Sequence, residues 1–262
     1  MFKDKKLLDE CFSEIIGTFI LITFGIGVVA SVVIAGRGNS IAVDLSWGLA
    51  VAFGAMTAKK SGGHLNPAVT VGLWLGGGKF AGHKVIPYII SQMIGAFLGA
   101  ALVFTMYYPT WMIVDPDLTQ ASVFATVAAP GYSTMYAIFD QVVETFFLLF
   151  GIIIIGNNIK SDNGGFLGPI LVGLLVTTIG FVFCTIHGYA INPARDLAPR
   201  IFTYLAGFQS TGFANPADWL APIVGPLIGG VLGVYIANLV TKEFQDVCSP
   251  YDKDCFQPNK DQ

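Results

Sequence analysis

The chain has 262 residues, 54% of them hydrophobic and only 12% charged, with a formal net charge of −3. A water-soluble domain carries about 25% charged residues, so the polar coat of a soluble fold is missing, and so small a net charge does not point to a nucleic-acid partner. No Gly-rich loop ends in Lys-Ser or Lys-Thr, which leaves ATP-driven work without a phosphate cradle.

Lys3, Lys5 and Lys6 precede an apolar run far longer than a signal-peptide core, without a small-residue cleavage site to close it, so it reads as a retained first span. Six stretches, near 11–35, 41–59, 84–108, 137–157, 166–185 and 219–240, can cross a hydrocarbon core, which takes about 20 helical residues. The segments 66–77 and 192–204 are apolar but too short to span. The stretch 109–136 carries no motif and reads as an outer cover, while 243–262 is a polar tail. Cys11 and Cys184 fall in or beside spans and Cys248 and Cys255 in the tail, a pattern of reduced thiols rather than a disulfide framework.

Orientation follows from the cations. With the N-terminus inside, the inner side holds Lys3, Lys5, Lys6, Lys59, Lys60, Lys79, Lys84, Lys160, Lys242, Lys253 and Lys260. The outer side holds Arg37, Arg195 and Arg200. Cytoplasmic loops are enriched in Lys and Arg, so both termini are expected in the cytoplasm and the spans in the cell membrane.

The chain also repeats itself. Asn66-Pro67-Ala68 recurs 126 residues later as Asn192-Pro193-Ala194, Glu14 is matched by Glu144, and Gly95 and Gly99 by Gly229 and Gly233. Each half, about 9–108 and 137–242, holds three spans and one short segment. Three is odd, so the second half enters the membrane in the opposite sense, and an inverted repeat places its site near the midplane between the halves. The expected domain is therefore 1–242, with 243–262 as a cytoplasmic tail.

Asn at the cap and Pro in the first turn suit a helix start, so each short segment reads as a loop entering the membrane and a half-helix leaving it. Non-helical backbone at that depth must be buried or line a wet cavity. The candidates are 61–65 and 185–191, with the carbonyls of Gly62, Gly63, His64, His187 and Gly188 as acceptors along a pore. Two half-helices meeting at their N-termini bring about +0.5 charge each. Together they oppose a cation by about 4 kcal/mol at 4 Å and an effective dielectric of 20. A neutral hydroxyl gains instead, because Asn66 and Asn192 offer amide N–H groups to its oxygen.

Two Asn-Pro-Ala triplets opening short apolar segments in opposed halves, with Arg195 only after the second, resemble the major intrinsic protein (aquaporin) family over residues 9–242. That resemblance implies an all-α bundle of six transmembrane helices plus two re-entrant half-helices, a homotetramer with one pore per chain, and passive transport without enzyme activity, cofactor or metal. Within the family, Asp196 after Arg195, Trp47 in Trp47-Gly48-Leu49-Ala50, Gly180, Arg200 and Pro222-Ile223 are similar to the glycerol facilitators. Tyr189 departs from them, standing where they commonly carry Phe.

The resemblance thus implies a channel for glycerol, other small neutral solutes and some water, with Trp47, Gly180, Tyr189 and Arg195 as its selectivity filter. Trp47 and Tyr189 face the carbon edge of glycerol, and Arg195 its hydroxyl edge. Trp47 also fits an interfacial belt. Glu14 and Glu144 fit either a proton relay or acceptors for the N–H groups of the re-entrant loops, the second being preferred. Asp196 fits an anchor for Arg195 or its loop better than a pore-lining charge. A water-selective channel, a proton-coupled secondary transporter and a junctional adhesion protein are the rival readings.

Overall fold

A computed structural model describes residues 5–77, 80–159 and 165–248, with side chains as far as residue 242. Lys3, Lys79, Lys160, Lys253, Lys260, Cys255 and the tail from residue 249 lie outside the described residues, as does the side chain of Cys248. Among the described residues, six helices have the length and composition of membrane spans: α1 (Lys5–Val33), α2 (Ser40–Thr57), α4 (Val85–Val114), α5 (Thr134–Asn158), α6 (Leu167–His187) and α8 (Pro216–Cys248). Two short ones lie between them: α3 (Pro67–Val71), which continues as one π-type turn over Gly72–Gly76, and α7 (Pro193–Leu205). All six expected spans and both half-helices are present. The last apolar span covers Pro216–Lys242, and its helix continues to Cys248.

Local sequence sets several of the helix starts. Asn39 accepts the Ala42 N–H at 3.0 Å ahead of α2, and Ser133 accepts that of Tyr136 at 3.3 Å ahead of α5. With 29 residues, α1 is about 43 Å long at 1.5 Å per residue, more than the hydrocarbon core alone requires. Its first turns hold Lys5, Lys6, Asp9 and Glu10.

The packing is the same in both halves. The first span of each half lies along its third, α1 on α4 and α5 on α8, and beside its second, α2 and α6. The half-helices are exchanged: α7 of the second half rests on α4, and α3 of the first half on α8. Small residues permit the close crossings. A Cβ at Gly95 would collide with the Ile15 carbonyl, and one at Gly229 with that of Val142. At Gly233 it would sit 2.5 Å from the Phe146 carbonyl. Between the halves, α2 crosses α6 where Gly48 and Gly173 face each other's carbonyls. Without a hydrophobic drive in lipid, such backbone proximity supplies dispersion and weak polar contacts that hold helices together.

Candidate pore and selectivity filter

The two half-helices meet through their caps. Asn66 Oδ1 accepts the Ala68 N–H at 2.8 Å, and Asn192 Oδ1 accepts those of Ala194 and Arg195 at 3.0 and 3.2 Å. Each amide nitrogen also donates to the carbonyl preceding the other Asn, Asn66 to Ile191 and Asn192 to Leu65, both at 2.8 Å. One N–H of each amide is thereby used, and both Asn residues also border the passage described below. Leu65 (φ 53°) and Ile191 (φ 45°) hold the left-handed backbone that side chains normally avoid. Each costs about 1–3 kcal/mol, offset by the surrounding bonds.

In the first half those bonds come from a buried carboxylate. Fully buried Glu14 on α1 accepts the backbone N–H of His64 at 2.9 Å and of Leu65 at 2.8 Å. It also accepts Ser61 Oγ at 2.5 Å and Gln92 Nε2 at 2.7 Å. Every oxygen of Glu14 is engaged in holding the first loop. Below it, Glu10 accepts Lys84 Nζ at 2.6 and 2.9 Å, and the Tyr88 hydroxyl lies 3.1 Å from both Glu10 and the Ser61 carbonyl. The second half differs. Glu144 accepts Gln141 Nε2 at 2.6 Å, and it is Gln141 Oε1 that accepts the Ile191 N–H at 2.9 Å. Glu144 thus reaches its loop through Gln141 rather than directly, as had been expected of it.

A passage enclosing about 310 Å³ runs past these loops. It is lined by Gly62, Gly63 and His64 of the first loop, by Asn66 and Asn192 at the half-helix caps, and by Trp47, Tyr189 and Arg195. Val51, Leu148, Ile152 and Val176 make much of the remaining wall apolar. The result is a conduit with a polar strip along an apolar surface. At its filter end the Arg195 guanidinium carbon stands 4.1 Å from the centre of the Trp47 ring, a cation–π distance. Arg195 Nη1 donates to the Phe124 carbonyl at 3.2 Å.

Phe124 belongs to the stretch expected to be a featureless cover, and this is the part of the site that sequence reasoning missed. Phe124 is sealed between Trp111, Phe104, Phe202 and Phe208. Beyond it, Asp196 Oδ2 accepts both the backbone N–H and the hydroxyl of Thr126 at 2.8 Å. Asp196 Oδ1 accepts Arg200 Nε and Nη2 at 3.0 and 2.9 Å. Arg200, itself buried, donates further to the carbonyls of Thr126, Thr211 and Asp218 at 2.6–2.8 Å. Asp196 therefore anchors the cover to α7, and the cover holds Arg195. Asp115 starts the same loop. Burial would raise its carboxyl, but hydrogen bonds from Thr119, Gln120 and Trp111 hold it below the ordinary range.

Three expected positions lie elsewhere than at the lining. His187 is fully buried, so its carbonyl cannot face the pore. Its ring lies 2.7 Å from the Ala217 carbonyl and 3.1 Å from Thr126 Oγ1. Gly188 is half-buried beside Thr126 and outside the lining, and the second loop reaches the passage with Tyr189, Ala190 and Ile191 instead. The shift arises because α6 runs on to His187 as helix, two residues past the expected end of the span. Gly180 does not border the passage either. A Cβ there would lie 2.7 Å from Tyr189 Cζ and 2.9 Å from Asp44 Oδ1, so Gly180 houses the far end of Tyr189 behind the wall.

Comparison with known proteins agrees with this architecture. The family model described as "Major intrinsic protein" matches residues 1–237. The glycerol uptake facilitator protein of Escherichia coli (strain K12) is 35% identical, over 99% of this chain and 98% of that protein. Human aquaporin-9 is 42% identical, over 90% of this chain and 83% of its own length. Among solved structures, the aquaglyceroporin from Plasmodium falciparum superposes with a TM-score of 0.83 at 30% identity, covering 92% of this chain and 99% of that one. With six spans, two opposed half-helices capped by Asn66 and Asn192, and these similarities over nearly its whole length, the chain belongs to the major intrinsic protein family.

Proposed function

We propose that the chain is a passive channel for glycerol and other small uncharged solutes, with some water, that excludes ions and protons. The observation that carries this reading is the filter: an indole and a phenol ring set beside one guanidinium at the end of a mostly apolar passage. Glycerol lays its carbon edge on Trp47 and Tyr189 while its hydroxyls meet Arg195 and, further in, the amides of Asn66 and Asn192. The polar strip replaces part of the solute's hydration, and the apolar wall does not bind it tightly enough to stall it. Arg195 and the two half-helix N-termini oppose cations by charge. An oxygen that accepts from both Asn amides turns its hydrogens away from its neighbours, which interrupts proton hopping along a water file.

The names of its relatives, a glycerol uptake facilitator and an aquaglyceroporin, support the glycerol reading. The full engagement of Glu14 with loop donors argues against its serving as a proton carrier in a coupled transporter. The proposal includes a homotetramer in the cell membrane with both termini in the cytoplasm, the latter on the distribution of lysines. Stopped-flow light scattering on proteoliposomes tests it: shrinkage in an impermeant sugar should be followed by no recovery, and shrinkage in glycerol by rapid reswelling. Absence of reswelling with an inserted, folded protein would overturn the glycerol assignment.

A further inference from the structure

The filter contains a carboxylate that its lining does not show. Asp44 is the sole charged residue of α2, and it is buried at 6% exposure. A charge inside a membrane helix requires a partner. That partner is the Tyr189 hydroxyl, which donates to Asp44 Oδ1 at 2.6 Å, the short distance of a charge-assisted bond. Asp44 lies three residues before Trp47, so one face of α2 presents the filter indole and, one turn away, the acceptor for the filter phenol. The hollow beside Gly180 receives the phenol oxygen end. The Tyr189 residue lines the passage, whereas Asp44 and Gly180 stand outside it.

From this geometry we propose that Asp44 is a specificity-determining positioning residue, which withdraws the Tyr189 hydroxyl from the pore so that a tyrosine presents only an apolar ring to the solute. The inference rests on the glycerol-channel reading above. Without Asp44, the hydroxyl loses its acceptor and the ring its tether. The freed O–H then turns toward the lumen, where it adds a polar group to the wall that accommodates the carbon edge of glycerol. Water and urea gain a donor and acceptor, and glycerol loses apolar surface and width. Selectivity therefore shifts without any change in the residues that face the solute.

The test is the ratio of glycerol to water permeability in proteoliposomes, normalised to inserted protein. Asp44→Ala should lower the ratio about fivefold, chiefly by slowing glycerol. Asp44→Asn retains a carbonyl acceptor of the same reach and should recover most of the difference. Asp44→Ala combined with Tyr189→Phe has no hydroxyl to release, and its ratio should rise again well above that of Asp44→Ala. If Asp44→Ala does not insert, Asp44→Ser, too short to reach the phenol, provides the same readout. A ratio unchanged in both Asp44→Ala and Asp44→Ser would overturn the proposal, as would a double variant as impaired as Asp44→Ala alone. An unmodified protein that passes no glycerol would instead overturn the channel reading.

Discussion

Asn66 and Asn192 each donate an amide hydrogen at 2.8 Å to the carbonyl that precedes the other, so the two half-helices are cross-stitched at their caps. Each side chain works in two directions at once: it caps its own helix and satisfies a carbonyl of the opposite loop, while its residue borders the passage. Asn192→Ala would remove a cap and orphan both the Leu65 carbonyl and the Ala194 and Arg195 N–H groups. The cap alone is worth about 1 kcal/mol and each buried orphan about 1–3 kcal/mol. The variant should melt at a clearly lower temperature in detergent and lose most of its glycerol flux. An unchanged melting curve would show that water or neighbours replace the Asn192 bonds.

Arg195→Val removes the fixed charge and donors of the filter while leaving both half-helix dipoles. Uncharged solutes should still pass, and the proton or cation leak should rise at least about tenfold, equivalent to about 1.4 kcal/mol of barrier. A pH-sensitive dye trapped in liposomes reads the leak directly. No rise in a folded variant would assign the main ion barrier to the midplane instead.

Gly180→His tests the filter from behind. The new side chain has no room beside Tyr189 Cζ and Asp44 Oδ1, so the phenol ring must move toward the lumen. Glycerol flux should fall by about tenfold or more, near 1.4 kcal/mol, with water flux falling much less. A misfolded protein lowers both together, so the ratio decides. A constant ratio in a folded variant would mean that the displaced ring leaves the passage open.

The six spans, the repeat, the opposed half-helices and their Asn caps were legible because apolar length, Asn-Pro-Ala and the glycine pairs are local signals with direct physical causes. Glu14 was legible as a loop acceptor for the same reason: a buried carboxylate needs donors, and a re-entrant loop has unpaired N–H groups. What escaped depended on contacts between distant segments. Phe124 lies 71 residues before Arg195, and only the folded cover brings its carbonyl to the guanidinium. Asp44 lies 145 residues before Tyr189. The placement of Gly180 behind rather than beside the passage follows from the direction of the Tyr189 ring, which no spacing encodes. Gln141 as the link between Glu144 and Ile191 is likewise a product of side-chain packing.

Arg200 provides a test of the missed cover. Removing one partner of a buried, hydrogen-bonded ion pair costs about 3–5 kcal/mol, and Arg200→Met would leave Asp196 and three carbonyls without this donor. The stretch around 118–130 should become cleavable by protease added to the filter side, and glycerol selectivity should weaken through Phe124. Protection equal to that of the unmodified protein would show that the aromatic cluster alone holds the cover.

Orientation can be checked in a Cys11→Ser, Cys184→Ser background, which leaves the tail thiols Cys248 and Cys255. With the lysine-rich side in the cytoplasm, a membrane-impermeant maleimide should leave intact cells unlabelled and label the protein after lysis. Labelling before lysis would invert the orientation.

The bond from Asn66 to the Ile191 carbonyl also has a consequence for biosynthesis. Its acceptor is translated 125 residues after its donor, a delay of roughly 6–25 s at about 5–20 residues per second. Until then the first half-helix has neither its opposite cap nor α8, the surface on which it rests. The nascent first half therefore has the Glu14 and Gln92 bonds that hold its re-entrant loop before it has the second-half surface on which α3 rests. Docking of the first half-helix is thus completed in two stages, its loop within the first half and its outer face only once the last span has been made.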